Sequence, residues 1–140
     1  PLPSAERHVG PIALYPGDES VEALFGDLGT VIVAGEEAEL DKLLIITSLM
    51  APFYALLGEI ASWAVKAGVE RKTAADYTAA MFRALSVMVE HREDGDLPAM
   101  ARESMTPGGL NELALTIIER RGGFAPVTAA LEGVEKRIAE

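Results

Sequence analysis

No charged residue occurs between Leu43 and Leu57, and this stretch restricts the possible folds more than anything else in the chain. Its pattern predicts a helix that opens on Glu36, Glu37 and Glu39, which place negative charge at the positive end of the helix dipole. The same periodicity continues through Glu59 and Lys66 to Gly68, a residue suited to the turn that ends a helix. The uncharged run falls short of the ~20 residues that a membrane span needs, so the expectation is a buried helix with no membrane partner. Pro52 lacks an N–H and crowds the preceding turn, and is expected to kink the helix or divide it in two. A helix apolar on every side needs more cover than one small bundle provides. A second copy of the chain is the simplest source.

Composition bounds the rest. The 140 residues suit one ordinary domain, and with 49% apolar residues the chain can build a core. The net charge of −10 opposes binding to nucleic acid or to an anionic membrane surface. Without cysteine there is no disulfide, thiol nucleophile or thiolate metal site, and a reducing, cytoplasmic setting is expected. His8 and His91 lack ligand spacing, so structural roles and no metal are expected. The acidic pairs Glu36/Glu37 and Asp94/Asp96 fall at a helix start and a turn, where solvated faces are the expectation. The first residue is Pro1 rather than Met, which suggests a fragment or a processed product.

Residues 1–35 and 36–140 read as two parts. In the first, Pro11 to Pro16 is a short apolar run, and Ser20 to Leu28 has helical spacing at Val21, Leu24, Phe25 and Leu28. Thr30 to Ala34 is a β-branched strand with the continuous apolarity of one buried on both faces. One strand–helix–strand unit is marginal alone, so it reads as the tail of a larger sheet. From Glu36 onward the pattern is all-α. A long helix is expected over Glu70–His91, with Thr73 and Asp76 spaced as a capping box. Its stripe of Tyr77, Met81, Phe82, Leu85, Met88 and Val89 is assigned to the core. A polar turn at Arg92–Asp96 leads to a short helix, Leu97–Glu103, with Pro98 in its first turn. Two further helices follow, Asn111–Arg120, stopped by Gly122-Gly123, and Pro126–Ile138.

Between them lies the stretch Met105 to Glu112, where ligand chemistry is expected. Pro107 fixes one backbone angle, and Gly108-Gly109 allow positive φ and close approach of a ligand. The N–H groups of Gly109, Leu110 and Asn111 have no carbonyl four residues back and lie at the positive end of a helix. Such donors suit a carboxylate or a phosphate. The plainer alternative is an ordinary helix start after a turn. No GxGxxG or GxxxxGK[ST] motif occurs, so no nucleotide site is legible in the chain itself.

Thr106-Pro107-Gly108-Gly109, followed by a helix, a Gly-Gly stop and a last helix, resembles the C-terminal half of pyrroline-5-carboxylate reductases, which carry a similar Ser/Thr-Pro-Gly-Gly loop. The likeness continues in Leu2-Pro3-Ser4 before Val9-Gly10, and in Leu24-Phe25-Gly26-Asp27-Leu28-Gly29 before a valine-rich strand. It also includes Glu39, Asp41 and Pro52-Phe53-Tyr54, and so runs in order along essentially the whole chain. The resemblance implies a mainly α fold. Residues 36–140 would be a helical dimerisation bundle of the 6-phosphogluconate-dehydrogenase C-terminal type, and residues 1–35 the closing strand–helix–strand of a Rossmann domain.

In function, it implies the C-terminal part of an NAD(P)H-dependent oxidoreductase of proline biosynthesis. Such an enzyme transfers hydride to the C=N, or C=O, carbon of a small carboxylate substrate and works as a homodimer. NADP or NAD would be bound mainly by a domain outside this chain. Carried over by position, Thr106, Pro107, Gly108, Gly109, Leu110 and Asn111 would hold the substrate carboxylate. Ser48 would match a serine of the family's Ser-Gly-Ser-Gly-Pro stretch, and Ser4 would stand for an asparagine near the nicotinamide. No catalytic residue is assigned. Leu110 and Asn111 replace two threonines of the family loop, and Ser48-Leu49-Met50-Ala51-Pro52 loses two glycines and one serine. A substrate other than pyrroline-5-carboxylate is therefore expected. Two alternatives stand beside this reading. One is a non-enzymatic helical assembly module. The other is a hydroxy-acid dehydrogenase, which would need a helix-borne lysine; Lys42 and Lys66 lie at or near the ends of the long helix, where solvated roles are expected.

Overall fold

The structure, a computed structural model, describes residues 3–140; Pro1 and Leu2, the latter part of the Leu2-Pro3-Ser4 likeness, lie outside the described residues. The chain forms two compact units, one from the segment up to Ser48 with Leu131–Glu140 and the other from Leu49–Ala130.

The first unit holds β1 (Pro11–Leu14), α1 (Glu19–Gly26), β2 (Thr30–Val33) and α2 (Glu37–Thr47), after a 3₁₀ turn at Pro3–Arg7. β1 and β2 pair in parallel, from Pro11 opposite Thr30 to Leu14 opposite Val33. Parallel neighbours need a crossover, and α1 supplies it. Thr30 N–H donates to Gly10 O at 2.9 Å. A Cβ on Gly29 would collide with that oxygen, so the strands can meet here only through glycine. His8, at φ +57°, donates from its ring Nδ1 to the Asp27 carbonyl, a structural tie between the turn and the end of α1. The Asp18 carboxylate caps α1, accepting from Ser20 N at 2.9 Å and Val21 N at 3.1 Å.

The Ser20 hydroxyl first, then these N–H groups, holds the Asp18 carboxyl below the usual carboxylate range. A group whose folded pKa is lowered contributes stability above its unfolded value and loses it as pH falls through the lowered one. Amide exchange at Ser20 and Val21 is therefore expected to stay protected at neutral pH and to speed up only in strong acid. Asp18→Ala should abolish that pH dependence; an unchanged profile would remove Asp18 from the account.

β2 was expected to be buried on both faces, and is not. Ile32 and Val33 are exposed, and burial is confined to Ile12 and Ala34 in this part of the chain. A two-stranded sheet that meets only α1 and α2 leaves its outer edges and much of its surface uncovered. In α2, Ile45 is the buried residue, Glu39 accepts from Gly35 N at 2.7 Å, and Lys42 pairs with Glu135 near the C-terminus.

The second unit contains α3 (Met50–Lys66), α4 (Arg71–Glu90), α5 (Leu97–Glu103), α6 (Leu110–Arg120) and the start of α7 (Ala125–Ile138). The helix expected from Glu36 is indeed divided, but the break falls at Ser48-Leu49 rather than at Pro52. The reason is local. Pro52 cannot donate to the carbonyl four residues back, so it is accommodated in the first turn of a new helix, and regular bonding resumes with Phe53 N to Leu49 O at 2.9 Å.

Two further stops follow the sequence closely. After α3, Gly68 N bonds Val65 O and Val69 N bonds Ala64 O, each at 3.0 Å, with Gly68 at φ +99°. After α6, Gly122 N bonds Glu119 O and Gly123 N bonds Ile118 O, each at 2.9 Å, with Gly122 at φ +67°. Both are Schellman endings, in which glycine takes the left-handed position without steric cost. The cap of α4 differs from expectation. Glu70 itself is the N-cap, its carboxylate taking Thr73 N at 2.8 Å, while Asp76 pairs with Lys72 instead of closing a box with Thr73.

α3 and α4 form a helical hairpin, in which Phe82 of the expected stripe takes part while Ala74 and Thr78 were not expected. Ala74 and Thr78 are buried, and Phe82 stacks edge-on against Phe53 at 6.1 Å. Small side chains four apart let the helices approach closely, and the Thr78 hydroxyl is satisfied by Ala74 O at 2.8 Å. The rest of the stripe assigned to the core is open: Tyr77 is 74% exposed, and Leu85 and Met88 are also largely exposed. α3 has no buried residue, and its Trp63 is 68% exposed. By length and composition alone, Glu37–Lys66 is long and apolar enough to cross a membrane.

Candidate functional site

The glycine loop is a tight turn. Gly109 N donates to Thr106 O at 2.7 Å, with Pro107 second and Gly108, at φ +73°, third. That is the type II arrangement, in which proline presets the second position and only glycine takes the third easily. Gly109, extended at φ −81° and ψ 169°, is then the N-cap of α6, with no side chain to serve as cap. The sequence assigned three free donors, on Gly109, Leu110 and Asn111. The structure corrects the first, because the turn consumes the Gly109 N–H. Among the described residues no acceptor takes the N–H groups of Leu110, Asn111 or Glu112. These three therefore form the donor set at the helix start.

Two groups that sequence reasoning passed over complete the loop. The Glu112 carboxylate reaches back to Gly108 N at 2.6 Å. It lies three residues after the N-cap, which is the capping-box spacing and was the available signal. The Asn111 side chain donates from Nδ2 to Ser104 O at 2.9 Å, joining the first turn of α6 to the chain just after α5. No sequence pattern announces that contact. Ser104, Thr106, Gly109, Leu110 and Asn111 line a shallow cavity of about 250 Å³. Leu110, 84% exposed, stands at its rim.

Of the remaining candidates, Ser48, Ser4 and Lys42 lie in the first unit, and Lys66 and His91 in the second. Ser48 is exposed at the C-cap of α2, its N–H bonded to Ile45 O at 3.0 Å. Ser4 sits in the 3₁₀ turn, with its Oγ so close to Gly10 that an added Cβ there would be 2.7 Å away. Lys42 is engaged with Glu135, and Lys66 is the last residue of α3. His91 donates from Nδ1 to Val87 O at 2.7 Å, a local tie at the end of α4. Among the described residues no three His, Cys, Asp or Glu side chains gather as a metal site.

A dinucleotide does not fit the residues present. In a β–α–β unit the pyrophosphate sits at the helix N-terminus after the first strand. Here Asp18 already occupies those N–H groups and places a negative charge on the spot.

Comparison with known proteins agrees with the geometry. Residues 37–140 match the family model described as pyrroline-5-carboxylate reductase dimerisation. No curated protein matches by sequence. Among solved structures, the chain is similar to the pyrroline carboxylate reductase of Plasmodium falciparum with NADP bound. The TM-score is 0.77 at 16% identity, over 96% of this chain and 56% of that one. It is similar to the 1-pyrroline-5-carboxylate reductase of Streptococcus pyogenes, with a TM-score of 0.77 at 18% identity, over 96% and 54% of the two chains. Likeness to the pyrroline-5-carboxylate reductase of Coxiella burnetii gives 0.80 at 18% identity, over 96% and 52%. The chain thus spans about half the length of these structures. The fold is the expected one, a mainly α dimerisation bundle preceded by a strand–helix–strand, and the chain belongs to the pyrroline-5-carboxylate reductase dimerisation family.

Proposed function

We propose that this chain, with residues 1–35 closing a cofactor domain and 36–140 forming the dimerisation and substrate domain, is the C-terminal part of a cytoplasmic NAD(P)H-dependent reductase of proline-type imines. The observation that carries this reading is the glycine turn of a family-matched domain, with free N–H groups on Leu110, Asn111 and Glu112 opening into a shallow cavity. The part played by these residues is to hold a substrate carboxylate, which fixes the position of the carbon to be reduced. Reducing power would come from NADP or NAD held mainly by residues outside this chain, since no GxGxxG turn for a pyrophosphate occurs in the sequence. A second copy of the chain would cover the apolar faces of α3, α4 and α6 as a homodimer.

The pocket would be narrower or more apolar than one made for pyrroline-5-carboxylate, and the substrate a different imine, keto or hydroxy acid. Leu110 and Asn111 stand where the family has threonines, and Leu49, Met50 and Ala51 add bulk beside Ser48. The test is a substrate profile of the full-length protein with NADPH and NADH. Turnover of an imine or keto acid with the reduced cofactor, or of a hydroxy acid with the oxidised one, above that of 1-pyrroline-5-carboxylate is expected. If 1-pyrroline-5-carboxylate is the best substrate, the altered specificity is wrong. If nothing turns over, the assembly-module reading gains, and one observation already favours it: Glu112 seats its carboxylate on Gly108 N–H, as a plain helix cap would.

A further inference from the structure

α5 is seven residues long and makes few contacts with the other helices, so packing does little to fix it. Leu85, Met88 and Val89 on α4 and Leu97, Met100, Ala101 and Ser104 at α5 face each other across an open apolar groove of about 300 Å³. What joins the two helices is polar. The Arg92 guanidinium, only 20% exposed, meets Glu103 with two nitrogens, at 2.6 and 3.3 Å, and Asp94 with its Nε at 2.5 Å. Asp94 also takes Asp96 N at 2.9 Å, and Asp96 in turn caps α5 through Ala99 N at 2.9 Å. One arginine therefore fastens α5 at both ends, and a forked arginine–carboxylate pair fixes direction as well as distance.

The last turn of α5 is linked rigidly to the loop. Ser104 is locked to Met100 O by its N–H at 3.0 Å and its Oγ at 2.8 Å, and Met105 N bonds Arg102 O at 3.1 Å. The Ser104 carbonyl, held there, is the acceptor for Asn111 Nδ2 in the first turn of α6. We propose that Arg92 is a positioning residue for the glycine loop, acting through Glu103, the Ser104 carbonyl and Asn111 to fix the donors of Leu110, Asn111 and Glu112. The proposal deepens the carboxylate-binding reading and rests on it for its functional consequence, though not for its physical content.

The experiment has two arms on the full-length protein, using Arg92→Ala, Arg92→Lys, Glu103→Gln and the charge exchange Arg92→Glu with Glu103→Arg. The first arm needs no ligand and reads amide exchange by residue. Arg92→Ala is expected to speed exchange at Gly109 and Leu113 by about tenfold or more while Val69 and the α3–α4 amides stay as they were. Lysine should restore part of the protection, and the charge exchange should restore more than either single change. Unchanged loop amides, or equal acceleration throughout the protein, would overturn the proposal. The second arm reads kinetics with 1-pyrroline-5-carboxylate and NADPH. A misplaced carboxylate site raises KM with little change in kcat, whereas a loss of folded protein lowers apparent kcat at constant KM. A rise in KM of about tenfold in Arg92→Ala is expected, and a pure kcat loss counts against a positioning role. Absence of turnover in the unmodified protein, with 1-pyrroline-5-carboxylate and with every other imine or keto acid of the profile, would defeat the reductase reading alone, since the exchange arm still decides the role of Arg92.

Discussion

Ile117→Asp converts the protein from a dimer to a monomer at micromolar concentration while its helix content stays unchanged. That is the expected result of sedimentation and circular dichroism, and it follows from where α6 turns its apolar face. Leu110, Leu113, Ala114, Ile117 and Ile118 recur at the helical spacing that marks one buried stripe, yet all five are exposed in the protomer. Ile117 is 52% exposed, so a carboxylate there costs the lone protomer little. In a dimer the same carboxylate would be enclosed among apolar side chains with no partner, at a cost of about 3 kcal/mol or more per site. Because a symmetric interface repeats each change, the dissociation constant should rise by two or more orders of magnitude. Trp63 and Tyr77, exposed on the hairpin, are the kind of large aromatic anchors that dominate such interfaces. An unmodified protein that sediments as a monomer would refute the homodimer outright.

The same exposure explains what could and could not be read from the sequence. Helix ends were legible because they are local. Gly68 and Gly122 stop helices through bonds to residues three to five positions back, Pro98 opens α5, and the parallel pairing of β1 with β2 follows from the helix between them. Burial was not legible in the same way. Periodicity finds an apolar face but does not say what lies over it. Met81, Leu85 and Met88 of the stripe were therefore assigned to a core that the protomer does not contain, while the actual contact uses Ala74, Thr78 and, from that stripe, Phe82. Pro52 was recognised as a breaker, but the chain meets its missing N–H by restarting the helix upstream rather than bending there.

In the candidate site, the Thr106–Gly109 turn could be foreseen because proline and glycine dictate their own backbone angles. The Glu112 contact was available from spacing. The Asn111 link to Ser104 and the Arg92 fork were beyond reach, since each depends on how consecutive helices are placed.

The second large effect separates the two glycines of the loop, and the order is the reverse of what backbone angles alone suggest. Gly108 has the positive φ, but a Cβ added to it meets nothing within 4 Å. Gly108→Ala therefore bears only the cost of one left-handed residue, about 1–2 kcal/mol. Gly109 has ordinary extended angles, yet a Cβ there would stand 2.8 Å from Thr106 O and 3.3 Å from Thr106 Cβ. Thr106 O cannot retreat without breaking its bond from Gly109 N, the bond that makes the turn. Gly109→Ala must therefore open the turn, and with it the alignment of the Leu110, Asn111 and Glu112 donors. If the proposed reductase reading holds, KM for a carboxylate substrate in the full-length protein is expected to rise about 100-fold in Gly109→Ala and about tenfold or less in Gly108→Ala. Melting temperatures should differ far less, because the first turn of α6 adds little to either unit's core. Equal KM values for both variants, or a larger effect at Gly108, would mean that backbone strain and not the Thr106 contact governs the loop. Unchanged KM in both would remove the loop from substrate binding altogether.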